Sequence, residues 1–445
     1  MKSYVVRKNY LNKIREFKEK NLIKVITGVR RSGKSVLLEQ FQEELKNDGI
    51  KDSQIISLNF ERIENEDLLD YKKLHTYITD RLNKDGWTYI FLDEIQMVEQ
   101  FQKAINSLHT NKNVDIYLTG SNSYMLSGEL ATLLSGRYVE IHVLPLSFKE
   151  YIIAKNYIKF ERGESSTASS DIMNKALLLK SYETITIDDE KLLAPQYGSY
   201  KDIYRQEFEN YIRNGSFPQT LELKSQKSIY DYLDSVYNTV VVKDILARGK
   251  SVQESVLSSI IKFILHNIGS EVSSVNIANT LTSNNRKVSY NTVETYLGYL
   301  KDSFVIYEAP RYDVKGKQHL KSNAKYYAVD TGLRNMMLYN KETDIGHLLE
   351  NIVYLELIRR EYKISVGKVD LKEVDFVAQN ENETVYFQVA TSLLDKKTLD
   401  RELASLNAIK DHYPKFIITL DDYMTGNTYN GIRVVHAIDF LLENY

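Results

Sequence analysis

The chain of 445 residues contains no cysteine, one tryptophan and five prolines. The missing thiols exclude disulfides, cysteine nucleophiles and cysteine-ligated zinc, and they fit an intracellular, cytoplasmic protein. Eight histidines are scattered without an H-x-x-x-H pair, so no transition-metal site is expected. No apolar run reaches the ~20 residues that a membrane-spanning helix needs, so no membrane partner is expected. The basic N-terminus (Lys2, Arg7, Lys8, Lys13, Arg15) lacks the apolar core of a signal peptide. Its spacing of Tyr10, Leu11, Ile14 and Phe17 instead predicts an amphipathic helix packed on the first domain. An excess of one charge sign is also missing. With 58 basic and 60 acidic residues the net charge is −2, so any nucleic-acid contact has to be local. The 33 tyrosines and the scarcity of proline carry little functional information. What is present is apolar matter, 43% of residues, enough for roughly two to four domains with cores.

Residues 28–35 read Gly28-Val29-Arg30-Arg31-Ser32-Gly33-Lys34-Ser35, a complete G-x-x-x-x-G-K-[ST] phosphate-binding loop. It follows the strand-like run Leu22–Thr27 and precedes Val36, Leu37, Leu38, Phe41 and Leu45 at helical spacing. Gly28 and Gly33 let the backbone curl its N–H groups toward a phosphate chain, and the helix adds its positive end. Lys34 would reach the β- and γ-phosphates, and the Ser35 hydroxyl would complete a Mg²⁺ coordination sphere. The run Tyr89-Ile90-Phe91-Leu92 then ends in Asp93-Glu94. A buried parallel strand of this kind delivers carboxylates to the edge where α/β sheets hold their ligands. Asp93 would hold Mg²⁺, directly or through water, and Glu94 would act as general base toward the attacking water.

Residues 1–145 alternate strands (Leu22–Thr27, Gln54–Asn59, Tyr89–Leu92, Asp115–Thr119, Tyr138–Leu144) with helices, which predicts a parallel α/β core. After the fourth strand, Asn122 or Ser121 could sense the γ-phosphate; a helix N-cap is the alternative. Arg137, in Leu133-Leu134-Ser135-Gly136-Arg137, could stabilise phosphoryl charge in its own chain or in a neighbouring subunit, or form a surface ion pair. Residues 146–250 read as mostly helical, with a flexible loop at Arg162–Ser170 and a turn at Gly215-Ser216-Phe217-Pro218. Residues 251–330 read as a winged helix-turn-helix. Its second helix would be capped by Asn291 with Glu294, and its wing strands would be Phe304–Tyr307 and Tyr326–Val329. Between those strands Arg311, Lys315, Lys317, Lys321 and Lys325 face one acid, Asp313. That basic patch suits duplex DNA phosphates, although the second helix offers few base-reading donors, and a protein-packing winged helix is the other reading. Residues 331–445 form a last α/β unit.

Taken together these motifs resemble the bacterial and archaeal AAA+-type ATPases that carry a C-terminal domain of unknown function. The resemblance rests on the loop 28–35, Phe91-Leu-Asp-Glu-Ile-Gln, Leu118-Thr-Gly-Ser, Gly136-Arg137, Leu144-Pro-Leu-Ser-Phe-Lys-Glu, Gly215–Pro218 and Glu373-Val-Asp-Phe. It implies an ASCE-type P-loop core, with a sensor strand between the Gly28 and Asp93 strands, then a helical lid, then the winged helix. Gly215–Pro218 is similar to the turn of signal-transduction (STAND) ATPases, where the lid proline packs near the nucleotide base. This makes Pro218 a nucleotide-contact candidate. Arg137 falls where AAA+ proteins keep an arginine finger. The C-terminal unit resembles the PD-(D/E)xK restriction-endonuclease fold. Glu350 and Asp375 match its first two acids, but Gln388-Val389-Ala390 stands where an acid and a lysine are needed. Cleavage is therefore not expected, with Lys368 or Lys396 as the only substitutes considered. The expected ligands are ATP and Mg²⁺. The readings of the whole are a nucleotide-driven switch answering to a protein client, a DNA-associated ATPase, an ATP-coupled nuclease, and a scaffold that binds nucleotide without turnover. Homo-oligomerisation stays open.

Overall fold

A computed structural model describes residues 5–123, 134, 136–161, 201–246, 252–284, 286–339 and 344–443. The expected loop at Arg162–Ser170 and parts of the segment at 133–135 lie outside these residues. The described residues fall into two compact units. One takes in those up to Pro145, with 153–161 and 302–304; the other takes in 146–152, 201–301 and 305–443.

In the first unit, β1 (Ile23–Thr27), β2 (Ile55–Asn59), β3 (Thr88–Asp93), β4 (Val114–Gly120) and β5 (Tyr138–His142) form one sheet in the order β2-β3-β4-β1-β5. Every pairing is parallel. All residues of β1 and β3 are buried, the pattern of strands covered on both faces. The expected strand order is observed: β4 lies between β1 and β3. The registers pair Thr27 with Gly120 and His142, and Asn59 with Asp93, so the C-terminal ends of the strands share one edge. Helices Lys8–Glu16 and Lys34–Asn47 cover one face through Leu11, Ile14, Leu37 and Phe41, whereas Leu74, Ile78 and Ile105 pack on the other. Phe91 and Tyr117 stack at 4.7 Å across neighbouring strands.

One charge sits inside this sheet. Lys24, in the middle of an apolar run, is fully buried and ion-paired with buried Asp115. The Asp115 carboxylate also accepts from the Tyr117 hydroxyl at 2.7 Å and the Glu19 N–H at 2.8 Å. Burial pushes the Lys24 ammonium down, and Asp115 opposes that shift.

The second unit holds helices Lys201–Asn214, Gln226–Thr239, Glu254–His266, Ser274–Ser283, Tyr290–Asp302, Thr331–Leu338, Ile345–Arg359, Lys396–Asn407 and Ala437–Leu442. Its strands are β6 (Glu271–Val272), β7 (Ile306–Asp313), β8 (Gln318–Ala328), β9 (Lys363–Val369), β10 (Lys372–Gln379), β11 (Thr384–Ala390), β12 (Lys415–Thr419), β13 (Thr428–Tyr429) and β14 (Ile432–His436). They make one nine-stranded sheet, β13-β14-β12-β11-β10-β9-β7-β8-β6. The hairpin β7–β8 is joined to the later strands by parallel pairing of Arg311, Tyr312 and Asp313 with Val366, Gly367 and Lys368. A cut at residue 330 therefore runs through a continuous sheet.

The expected Asn291–Glu294 capping box is not formed. The helix begins two residues earlier than an Asn291 cap requires, at Tyr290, and Ser289 receives the Thr292 N–H at 3.1 Å. Asn291 is therefore already helical, and the Glu294 carboxylate accepts instead from the Ser274 hydroxyl.

Because Lys24 and Asp115 are buried together, removing one strands the other. Lys24→Ala is expected to cost about 3–5 kcal/mol, read as a fall in the urea midpoint of the first unit. An unchanged midpoint would show that the pair carries no stability.

Candidate functional site

The loop 28–35 leaves the C-terminal end of β1 through backbone that side chains resist. Gly28 has φ +139°, and a Cβ there would lie 2.1 Å from the Val143 carbonyl oxygen. Gly33 has φ +100° and Arg31 φ +64°. Val29 is buried, Arg30 reaches Glu61 at 2.9 Å, and Arg31 is exposed. Ser32 is fully buried, and its hydroxyl has no hydrogen-bond partner among the described residues. The Lys34 ammonium donates to the carbonyls of Gly28 at 2.9 Å and Val29 at 3.1 Å.

Ser35, in the first turn of the following helix, lies close enough to the Asp93 carboxylate at the end of β3 to lower its pKa. Asn59 donates to the same carboxylate at 2.7 Å from β2, and Thr119 donates its hydroxyl from β4. Burial pushes the Asp93 carboxyl up, while Thr119 and Ser35 pull it down. Glu94 follows in the left-handed region (φ 55°, ψ 46°) and is buried. Its N–H reaches the Thr119 hydroxyl at 2.9 Å, and its carboxylate accepts from the Gln96 amide. The residues expected to hold phosphate, metal and water thus meet at one sheet edge. Ser121 and Asn122 are buried just beyond β4, on the same edge. Gln96 also reaches the Ser121 hydroxyl at 3.5 Å.

Arg137 is not brought there. It precedes β5, at the opposite end of the sheet, and donates to Asn106 at 2.7 Å. A five-residue strand separates it from the loop edge, roughly 15 Å at the usual strand rise. A finger acting within its own chain is excluded by this placement. Pro218 belongs to the second unit, where it opens a short 3₁₀ helix, Pro218–Glu222. The turn before it is committed to Asp330: the Ser216 N–H and hydroxyl donate to that carboxylate at 2.6 and 3.0 Å, and Gly215 has φ +76°.

Several residues around the loop were not singled out by their sequence. Arg7 is buried and donates to the Ser32 carbonyl at 3.1 Å. Asn59, Thr119 and Gln96 position the two acids, as described. His142, at the end of β5, stands 3.1 Å from the Thr27 hydroxyl. Gln96 is two residues from Glu94, but Arg7, Asn59, Thr119 and His142 lie far along the chain from their partners and become neighbours only in the fold.

The second cluster lies in the second unit. Glu350, on helix Ile345–Arg359, and Asp375, on β10, flank Lys325 of β8 at 2.9 and 3.6 Å. Among the described residues the cation between these acids is Lys325, not Lys368 or Lys396. Gln388 turns its amide oxygen to the Asp375 N–H at 2.7 Å and its amide nitrogen to Glu402. Burial and the Glu350 charge push the Asp375 carboxyl up, against Lys325. Burial alone would lower the Lys325 ammonium, but Glu350, Asp375 and Glu373 outweigh it and raise it. The expected basic patch is largely matched by acids: Arg311 pairs with Glu271 at 3.0 Å, Lys315 with Asp370 at 2.6 Å, and Lys325 is buried. Lys317 is exposed.

A parallel sheet of this order, with a phosphate-binding loop at the end of β1 between β4 and β5, defines a P-loop ATPase fold of the AAA type. Residues 20–152 match the family described as an AAA domain, and residues 205–344 match a domain of unknown function. An uncharacterized protein of Haemophilus influenzae is 38% identical over 443 residues, covering 99% of this chain and 100% of that one. An uncharacterized protein of Methanocaldococcus jannaschii is 31% identical over 399 residues, covering 88% of this chain and 79% of that one. The chain belongs to one family with these proteins, and its own N-terminal part matches an AAA domain. Among solved structures, a Walker-type ATPase of Pyrococcus abyssi aligns at a TM-score of 0.43 and 14% identity, over 75% of this chain and 95% of that one. No helix among the described residues is long and apolar enough to cross a membrane.

His142 gives the loop edge a pH response. Burial first, then the charges of Lys34 and Lys13, push its imidazole from 6.5 down to about 4. The unfolded chain therefore binds the proton first as pH falls, so stability present above about 6.5 is lost progressively toward about 4. His142→Asn is expected to flatten that slope in pH-dependent urea unfolding; an unchanged slope would assign it elsewhere.

Proposed function

We propose that the chain is a Mg²⁺-dependent ATPase whose nucleotide cycle drives a conformational switch. The observation that carries this reading is the buried Asp93 carboxylate, held by Asn59 and Thr119 at the sheet edge beside a loop whose buried Ser32 hydroxyl has no partner among the described residues. A buried polar atom without a partner is costly in isolation, and a phosphate oxygen would supply one. The residues present thus fit both nucleotide and Mg²⁺. Bound Mg²⁺ would neutralise charge on the phosphates. Lys34 would leave the loop carbonyls for the β- and γ-phosphates, and Ser35 and Asp93 would turn their oxygens to the metal. Glu94 would take the proton of the attacking water. Asn122 or Ser121 would report on the γ-phosphate, Pro218 would close on the base from a lid, and Arg137 would serve a neighbouring copy in a homo-oligomer.

In this reading residues 1–145 are the ATPase core and 146–250 the lid. Residues 251–330 are a winged helix, and 331–445 a nuclease-like domain that does not cleave. The output answers to a protein client. Duplex DNA binding through the wing has less support, because Arg311, Lys315 and Lys325 already have acidic partners.

Lys34→Ala is expected to abolish nucleotide binding or turnover, and unchanged hydrolysis would remove the loop from the active site. Glu94→Gln should retain binding and slow hydrolysis about tenfold or more; near-native turnover would deny Glu94 its role. Gln96→Ala frees the Glu94 carboxylate, so turnover should fall while nucleotide affinity holds. A rise in turnover would make Gln96 a brake.

A further inference from the structure

The sequence resemblance of the C-terminal segment to PD-(D/E)xK enzymes implies a divalent metal held by Glu350 and Asp375. The residues present do not fit one. The position between those carboxylates is filled by the Lys325 ammonium, 2.9 Å from Glu350, 2.8 Å from Glu373 and 3.6 Å from Asp375. Lys325 is 4% exposed. The oxygens a metal would use are also engaged elsewhere. The Tyr327 hydroxyl donates to Glu350 at 2.7 Å, and the Val389 N–H donates to Asp375 at 2.8 Å. The residue in place of the third acid is an amide with both ends spent, on the Asp375 N–H and on Glu402, which Arg401 neutralises at 2.6 Å. Among the described residues no group of three or more ligating side chains is placed to hold a metal ion.

We propose that Lys325 is the resident cation of this centre, so that the acids of the nuclease-like strands serve as a closed ionic joint between hairpin β7–β8 and β10 rather than as a metal site. Three carboxylates around one buried cation satisfy the rule that buried charge must be paired and hydrogen-bonded. The same three would repel one another without it. Lys325 comes from β8, outside the strands that carry the acids. The joint therefore fastens the strand hairpin of residues 306–328 to the helix at 345–359 and to β10. It does not depend on whether the first unit hydrolyses ATP.

The test is Mn²⁺ binding by the full chain without nucleotide, followed by electron paramagnetic resonance. Wild-type protein should bind no Mn²⁺ that Asp375→Asn or Glu350→Gln removes. Lys325→Ala leaves three carboxylates facing one vacated position. It should melt at lower temperature and bind one Mn²⁺ about tenfold tighter or more than wild type, with melting restored as the metal is added. A stoichiometric wild-type Mn²⁺ site that is lost in Asp375→Asn would overturn the proposal. So would a Lys325→Ala protein that gains no Mn²⁺ affinity. Binding that is lost instead in Asp93→Asn belongs to the first unit and is subtracted. If Lys325→Ala does not fold, reductive methylation of the native protein decides. Lys325 should be protected equally with and without Mn²⁺, and labelling that Mn²⁺ alters would show that metal and lysine compete.

Discussion

The Asp93 carboxylate joins the parts of the first unit that have to act together. It receives Asn59 from β2 and Thr119 from β4, it stands close to Ser35 at the end of the phosphate-binding loop, and it belongs to β3 itself. A buried carboxylate needs such partners to remain ionised, since burial alone pushes it toward the neutral acid. The Thr119 and Ser35 hydroxyls oppose that shift, and they also define the site. Through Thr119 the arrangement extends to the backbone of Glu94, so both acids are set by one hydroxyl.

This convergence requires the strand order. Side chains at the ends of β2, β3 and β4 meet because the registers end the strands at one edge, and the loop joins them because β1 pairs with β4. The same order explains why Arg137 stands apart: it precedes its strand, at the far end of the sheet. The backbone of the loop is fixed as firmly, since any side chain at Gly28 would strike the Val143 carbonyl.

Much of this was legible in the sequence where a signal is local. The apolar runs at β1, β3 and β4, each ending in glycine or acid, mark strands whose ends carry chemistry, and they lie within a residue or two of where the structure has them. What was not legible depends on partners distant in sequence. Lys24 reads as an interruption of an apolar run until Asp115, on another strand, is placed beside it. Arg311, Lys315 and Lys325, three of the five cations between the wing strands, read as free because their partners Glu271, Asp370 and Glu350 lie outside that stretch. Asn291 and Glu294 have capping spacing, but Ser289 starts the helix two residues earlier than that spacing requires. In the second unit the continuity of β7 with β9 could not be read at all, because strand-edge pairing leaves no mark in composition.

The central claim is that the edge assembled around Asp93 turns over nucleotide. Its most direct test is steady-state ATP hydrolysis by the purified full chain, with and without Mg²⁺ and with and without duplex DNA. The account predicts Mg²⁺-dependent phosphate release that DNA leaves unchanged. Nucleotide that binds tightly but releases no phosphate under any of these conditions would contradict it.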